Sequence, residues 1–188
     1  MHLKKTFNIA VIIFLFVAAI VFPYVRWYAD NPDTFQYLAI ASKYVSGDWS
    51  NAVNGYWSPM ISWLLAIPLL VFKNDLLTFK ILQLLIGAFT LFQWSRLLDR
   101  TAIRNNWKNF LVIASIPFLI DYALLNLTPD LLFMGLLFLL INLFLTGNIS
   151  SDRKLAIKIG FTGGLLFLTK AYGLPFFIVI TLIIICLE

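Results

Sequence analysis

Long apolar runs alternate with short basic clusters along this chain, and a polar, aromatic-rich stretch at residues 30–72 breaks the pattern near its start. The first run, Phe7–Val25, has 19 residues, close to the roughly twenty a bilayer requires. Lys4 and Lys5 precede it and no small-x-small cleavage site follows, so it is predicted to be an uncleaved span rather than a signal peptide. Arg26-Trp27-Tyr28 then supply amphipathic rings suited to a headgroup layer. In Asn31-Pro32-Asp33 a good N-cap, a first-turn proline and an acid that complements the positive helix end predict a helix start. Tyr37, Ile40, Ala41, Tyr44 and Val45 recur at helical spacing, Thr34, Gln36, Ser42 and Lys43 face elsewhere, and Gly47 stops the helix. A helix this short and amphipathic is predicted to lie in the interfacial plane.

Ser58-Pro59 repeats the start signal before the apolar segment 60–72. As a crossing helix, 60–72 would put Arg96, Arg100, Arg104, Lys108, Arg153, Lys154 and Lys158 opposite Lys4 and Lys5, inverting the positive-inside bias. Lying on the outer surface, it leaves all of these cations inside. Its length as a helix is also only about 20 Å against a core of roughly 30 Å. It is predicted to be a second interfacial helix, so that 30–75 forms one outer loop. Alternation then runs 76–98 inward, 110–127 outward and 131–145 inward, and carries the chain outward from 159 to Lys170. The break at Lys170-Ala171-Tyr172-Gly173-Leu174-Pro175 leaves open whether 176–187 continues or turns back. The fold class expected is all-α: a polytopic bundle of five to six transmembrane helices, with two interfacial helices in the first outer loop.

Composition agrees: 61% apolar and 12% charged residues, against roughly a quarter charged in soluble domains. The net charge of +5 sits in clusters between apolar runs, which reads as topology and not as a nucleic-acid surface. A single cysteine, Cys186, supports neither a disulfide framework nor a cysteine metal site. Asn126-Leu127-Thr128 and Asn148-Ile149-Ser150 match the glycosylation acceptor pattern, but the first abuts the membrane and the second is placed inside.

The ionisable residues at membrane depth are more informative, because each costs about 2.5–3.5 kcal/mol there and usually marks a cavity or a partner. Lys80 lies about one turn inside its span and Asp121 about two turns from the outer end of its own. Lys170 falls short of the outer surface. A charged cavity in the outer leaflet accommodates all three. Asp33 and Asp130 share one grammar, a capping residue, a proline and an acid, which helix initiation alone can explain.

Asp33 opening a helix that ends at Gly47-Asp48-Trp49, Tyr56-Trp57-Ser58-Pro59 before a Trp-containing helix, Thr128-Pro129-Asp130, and GFTGGLLFLTK ending at Lys170 occur in a specific order. This set resembles the GT-C glycosyltransferases, in the branch of protein mannosyltransferase-like and lipid A aminoarabinose transferase-like enzymes. Thr34 stands where that family often has a second acid, and Trp57-Ser58 where the aminoarabinose type has Glu-Lys. The resemblance implies that 1–188 is the N-terminal transmembrane module of a longer enzyme of a bacterial inner membrane, with its N-terminus cytoplasmic and its active site facing outward. It implies a sugar donor on a polyprenyl phosphate and a glycan, lipid or protein acceptor; with Trp57-Ser58 in place of Glu-Lys, no metal is expected, nor any further cofactor. By the same resemblance Asp33 is the catalytic base, and Lys170, Lys80 and Arg26 contact the donor phosphate. Asp130, Asp121 and Tyr56 position substrate. The alternative reading is a non-enzymatic membrane subunit that binds lipid-linked sugar.

Overall fold

The computed structural model describes residues 2–147 and 152–187, and among them the protein is helical without strands. The Asn148-Ile149-Ser150 triplet lies outside the described residues. α1 (His2–Val25) leads through a short turn to α2 (Asp33–Val45), the single turn α3 (Trp49–Ala52) and α4 (Met60–Leu69). α5 (Asp75–Asp99) is the hub. α6 (Asn105–Ala114) and α7 (Ile116–Leu124) form one rod bent at Ser115, where Pro117 cannot donate back to the preceding turn. α8 (Asp130–Phe144) lies along α5, α9 (Arg153–Thr169) lies beside α8, and α10 (Gly173–Leu187) packs on α9.

α5 is well specified locally. Asn74 caps it by accepting from the Leu77 N–H at 3.0 Å, Asp75 occupies its first turn and Arg96 its last. Small residues let its neighbours approach: a Cβ on Gly87 would meet the Phe14 ring of α1, and one on Gly135 of α8 would lie 2.6 Å from the Thr90 hydroxyl. Polar bonds fasten the same pair, with Thr90 Oγ1 donating to the Leu131 carbonyl at 3.0 Å and Asn142 Nδ2 to the Gln93 carbonyl at 2.9 Å.

Three helical stretches are long and apolar enough to cross a membrane, Phe7–Val25, Asp75–Asp99 and Asn105–Leu124, and the protein is a helical membrane protein on that basis. Met60–Leu69, Asp130–Phe144 and Gly173–Ile184 are shorter apolar helices. The rod expected at 110–127 begins earlier, at Asn105, which draws Lys108 out of the basic loop. Lys108 is buried and donates to the Asp99 carbonyl at 3.1 Å, at the negative end of α5. Phe177 of α10 faces Gly163 of α9, so the segment after the break turns back.

In α2 the start signal acts through Asn31, whose Oδ1 accepts from the Asp33 N–H at 2.9 Å. Gly47, at φ +80°, lets the Asp48 N–H reach the Lys43 carbonyl and close the helix. The buried stripe is rotated from the expected one: Thr34, Tyr37, Leu38, Ile40 and Ala41 are buried, while Val45 is exposed. Thr34 turns inward because its hydroxyl has a carbonyl to bond there.

Candidate functional site

Thr34 is fully buried in the first turn of α2, and its Oγ1 donates to the Leu127 carbonyl at 3.2 Å. That bond latches the start of α2, and Asp33 with it, against the loop between α7 and α8. The loop is held from below as well. Gln83 of α5, also fully buried, donates from Nε2 to the Thr128 carbonyl at 2.7 Å. Thr128 Oγ1 in turn donates to Asp130 Oδ2 at 2.7 Å. α9 delivers the cation: Lys170 leaves the helix in an extended conformation and its Nζ meets Asp130 Oδ1 at 2.5 Å. Tyr172 donates to the same oxygen at 3.4 Å and lies beneath the Lys170 ammonium, 5.5 Å from the ring centroid.

The electrostatics follow from these contacts. Burial disfavours the charge on Asp130, but hydrogen bonds from Lys170 and Thr128 outweigh it and hold the carboxyl below its ordinary range. Burial likewise works against the charge on Lys170, and the Asp130 hydrogen bond and charge reverse the balance, raising its affinity for the proton. Burial first, then the negative fields of Asp33 and Asp130, push the Tyr37 phenol well above its usual value. Tyr37, one turn beyond Asp33 on α2, therefore senses both acids. A carboxylate, a second carboxylate paired with an ammonium, and two phenols share one end of the helix cluster.

The other residues singled out from the sequence lie elsewhere. Lys80 is fully buried, and its Nζ donates to the Tyr28 carbonyl at 2.9 Å and to the Leu124 carbonyl. It clamps the chain after α1 to the end of α7 and presents nothing to a phosphate. Asp121 accepts from Asn126 Nδ2 at 2.8 Å and lines an apolar groove between α1 and the α6–α7 rod. Arg26 is exposed, stacked over its neighbour Trp27 at 4.8 Å. Lys80, Asp121 and Lys170, expected together in one cavity, each bond a different partner: backbone carbonyls, Asn126 and Asp130. Tyr56 is 83% exposed and edge-on to Trp57 at 4.9 Å.

Sequence reasoning missed Gln83, Tyr172 and the contacts that give Thr34, Thr128 and Tyr37 their places in the site. Gln83 carried a signal, an amide within an apolar span. Tyr172 carried none beyond its nearness to Lys170. Among the described residues no three His, Cys, Asp or Glu side chains come together. Comparison with family models, curated proteins and solved structures yields no match.

Proposed function

We propose that this protein is a membrane glycosyltransferase, or the N-terminal module of one, moving a sugar from a polyprenyl phosphate to an acceptor hydroxyl. One observation carries the reading: the Thr34–Leu127 bond brings Asp33 to the same loop whose Asp130 pairs with Lys170. A base and a cation are what such a transfer needs. Asp33 takes the acceptor proton as the acceptor oxygen bonds to the anomeric carbon. The bond from that carbon to the phosphate oxygen breaks, the lipid phosphate leaves with the electron pair, and the configuration inverts. Lys170, shared between Asp130 and the departing phosphate, stabilises the new charge in a medium of low dielectric. The sequence resemblance to GT-C enzymes supports the same assignment.

In this reading α2 and α4 are interfacial helices, and α8, α9 and α10 complete five to six membrane segments with the three longer spans. The membrane is a bacterial inner membrane, the N-terminus is cytoplasmic, and the Asp33–Asp130–Lys170 end faces outward. Asp33→Asn is expected to lower transfer of labelled sugar from a polyprenyl phosphate by about 10²-fold or more, with membrane insertion unchanged. Wild-type turnover in that variant rejects the proposal.

A further inference from the structure

One helical turn beyond Asp33 on α2 sits a group that the mechanism above does not use. Tyr37 is 5% exposed, and its ring is fixed edge-on to Trp57 at 5.0 Å while its backbone carbonyl accepts from buried Ser62. Asp33 and Tyr37 are four residues apart on α2, hence on one face, and Thr34 pins that turn to the Asp130 loop. Among the described residues the Tyr37 hydroxyl has no hydrogen-bond partner: packing and charge act on it, and no hydrogen bond does. Nor is its oxygen one of the sealed, partnerless polar atoms of the interior. A phenol held this rigidly, one turn from Asp33 and with an unused donor, is built to meet a ligand.

We propose that Tyr37 is a ligand-binding residue whose hydroxyl donates a hydrogen bond to an uncharged oxygen of the glycosyl group. The inference rests on the transferase reading and deepens it by dividing the site into two parts. Charge makes the division. The field at Tyr37 comes from Asp33 and Asp130, so an anionic phosphate oxygen is repelled there and is drawn instead to the Lys170 side of Asp130. A neutral polyol tolerates the acids and can donate to them while accepting from Tyr37. Its apolar ring face has aromatic partners nearby in exposed Tyr56 and in Trp57, themselves packed edge to face. Because the raised phenol stays protonated at working pH, it is a donor throughout.

The test compares two probes on the full chain in nanodiscs, a short-chain polyprenyl phosphate and the same lipid phosphate carrying a hexose. Tyr37→Phe keeps the ring that packs on Trp57 and removes only the hydroxyl. The expected result is a loss of about tenfold in affinity for the hexose-bearing probe, no change for the bare lipid phosphate, and an unchanged thermal midpoint. Equal affinity of wild type and Tyr37→Phe for the hexose-bearing probe overturns the inference; if Lys170→Ala still weakens both probes, the transferase reading survives that failure. Binding of neither probe to wild type removes both. Should Phe disturb folding, 3-fluorotyrosine placed at position 37 reports without a mutation: its resonance is expected to shift with the hexose-bearing probe and not with the bare one, and identical responses count against the inference.

Discussion

Lys80 and Lys170 are the same residue type, both drawn out of water, and their partners give them opposite roles. Lys80 meets two neutral carbonyls and is a clamp, whereas Lys170 meets a carboxylate and a phenol and remains partly open. The Asp130–Lys170 pair has a pH signature whose sign is fixed by its shifts. Asp130 is depressed, so its contribution to stability is present above the unfolded carboxyl value of about 3.9 and is lost as pH falls through the lower folded value. Lys170 is raised, so its contribution is complete below about 10.4 and is lost as pH rises through the higher folded value. The side chains are 24% and 36% exposed, which limits the pair to about 1 kcal/mol, or roughly 2–4 °C in thermal midpoint. The midpoint gap between wild type and Lys170→Met in detergent is expected to be flat from about pH 5 to 9 and to narrow as pH falls below the unfolded carboxyl value of about 3.9 or rises above about 10.4; a gap that widens as the pH falls below about 3.9 contradicts the pairing. The lysines could be flagged from sequence because charge in an apolar run is visible there. Their partners could not, since a carbonyl on another helix leaves no mark in composition.

Among the elements, α9 shows how a motif separates into parts with different roles. Of the three glycines in GFTGGLLFLTK, only Gly163 faces a neighbour: a Cβ there would lie 2.5 Å from the Phe177 ring, while Gly160 and Gly164 look onto open space. Gly163→Ala is expected to destabilise by about 1–3 kcal/mol through overpacking, which moves the α9–α10 hairpin that carries Lys170. Gly164→Ala is expected to be neutral or to stabilise by up to about 1 kcal/mol, because alanine is the better helix former. Thermal melts of the two variants check this, and equal effects would mean that the hairpin is not packed as described. The helix positions themselves were readable: α5, α8 and the break at Lys170 fall where apolar runs, caps and a Gly-Pro signal put them. The face of α2 was not, because Thr34 is polar by type and is buried only through the Leu127 carbonyl, a partner 93 positions away.

For the whole molecule, the outstanding question is which side of the membrane each end occupies, and α4 decides it. One face of α4 is sealed, with Ile61 and Leu65 fully buried, while Trp63 and Ile67 on the helix and Leu70, Val71 and Phe72 just after it are bare. Ten residues of helix reach about 15 Å, half of a roughly 30 Å core, so a crossing would leave backbone groups unsatisfied in lipid. A helix lying flat, with its sealed face on α2 and α5 and its bare face in the outer leaflet, avoids that cost. It also keeps Arg96, Arg100 and Arg104 on the side of Lys4 and Lys5, as the positive-inside bias favours. In a Cys186→Ser background, single cysteines at positions 58 and 73 are expected to react with a membrane-impermeant thiol reagent added outside intact cells, and one at 102 only after permeabilisation. Labelling of 58 and 73 from opposite sides would make α4 a crossing helix. Every segment after it would then reverse, and Lys170 and Asp130 would be carried to the cytoplasmic side. Thr34 of α2, which precedes α4, bonds to the Leu127 carbonyl of the loop that carries Asp130, so such a result would place the two partners of that bond on opposite sides of the bilayer and dismantle the site; labelling of 58 and 73 from the same side keeps Asp33, Asp130 and Lys170 on one face.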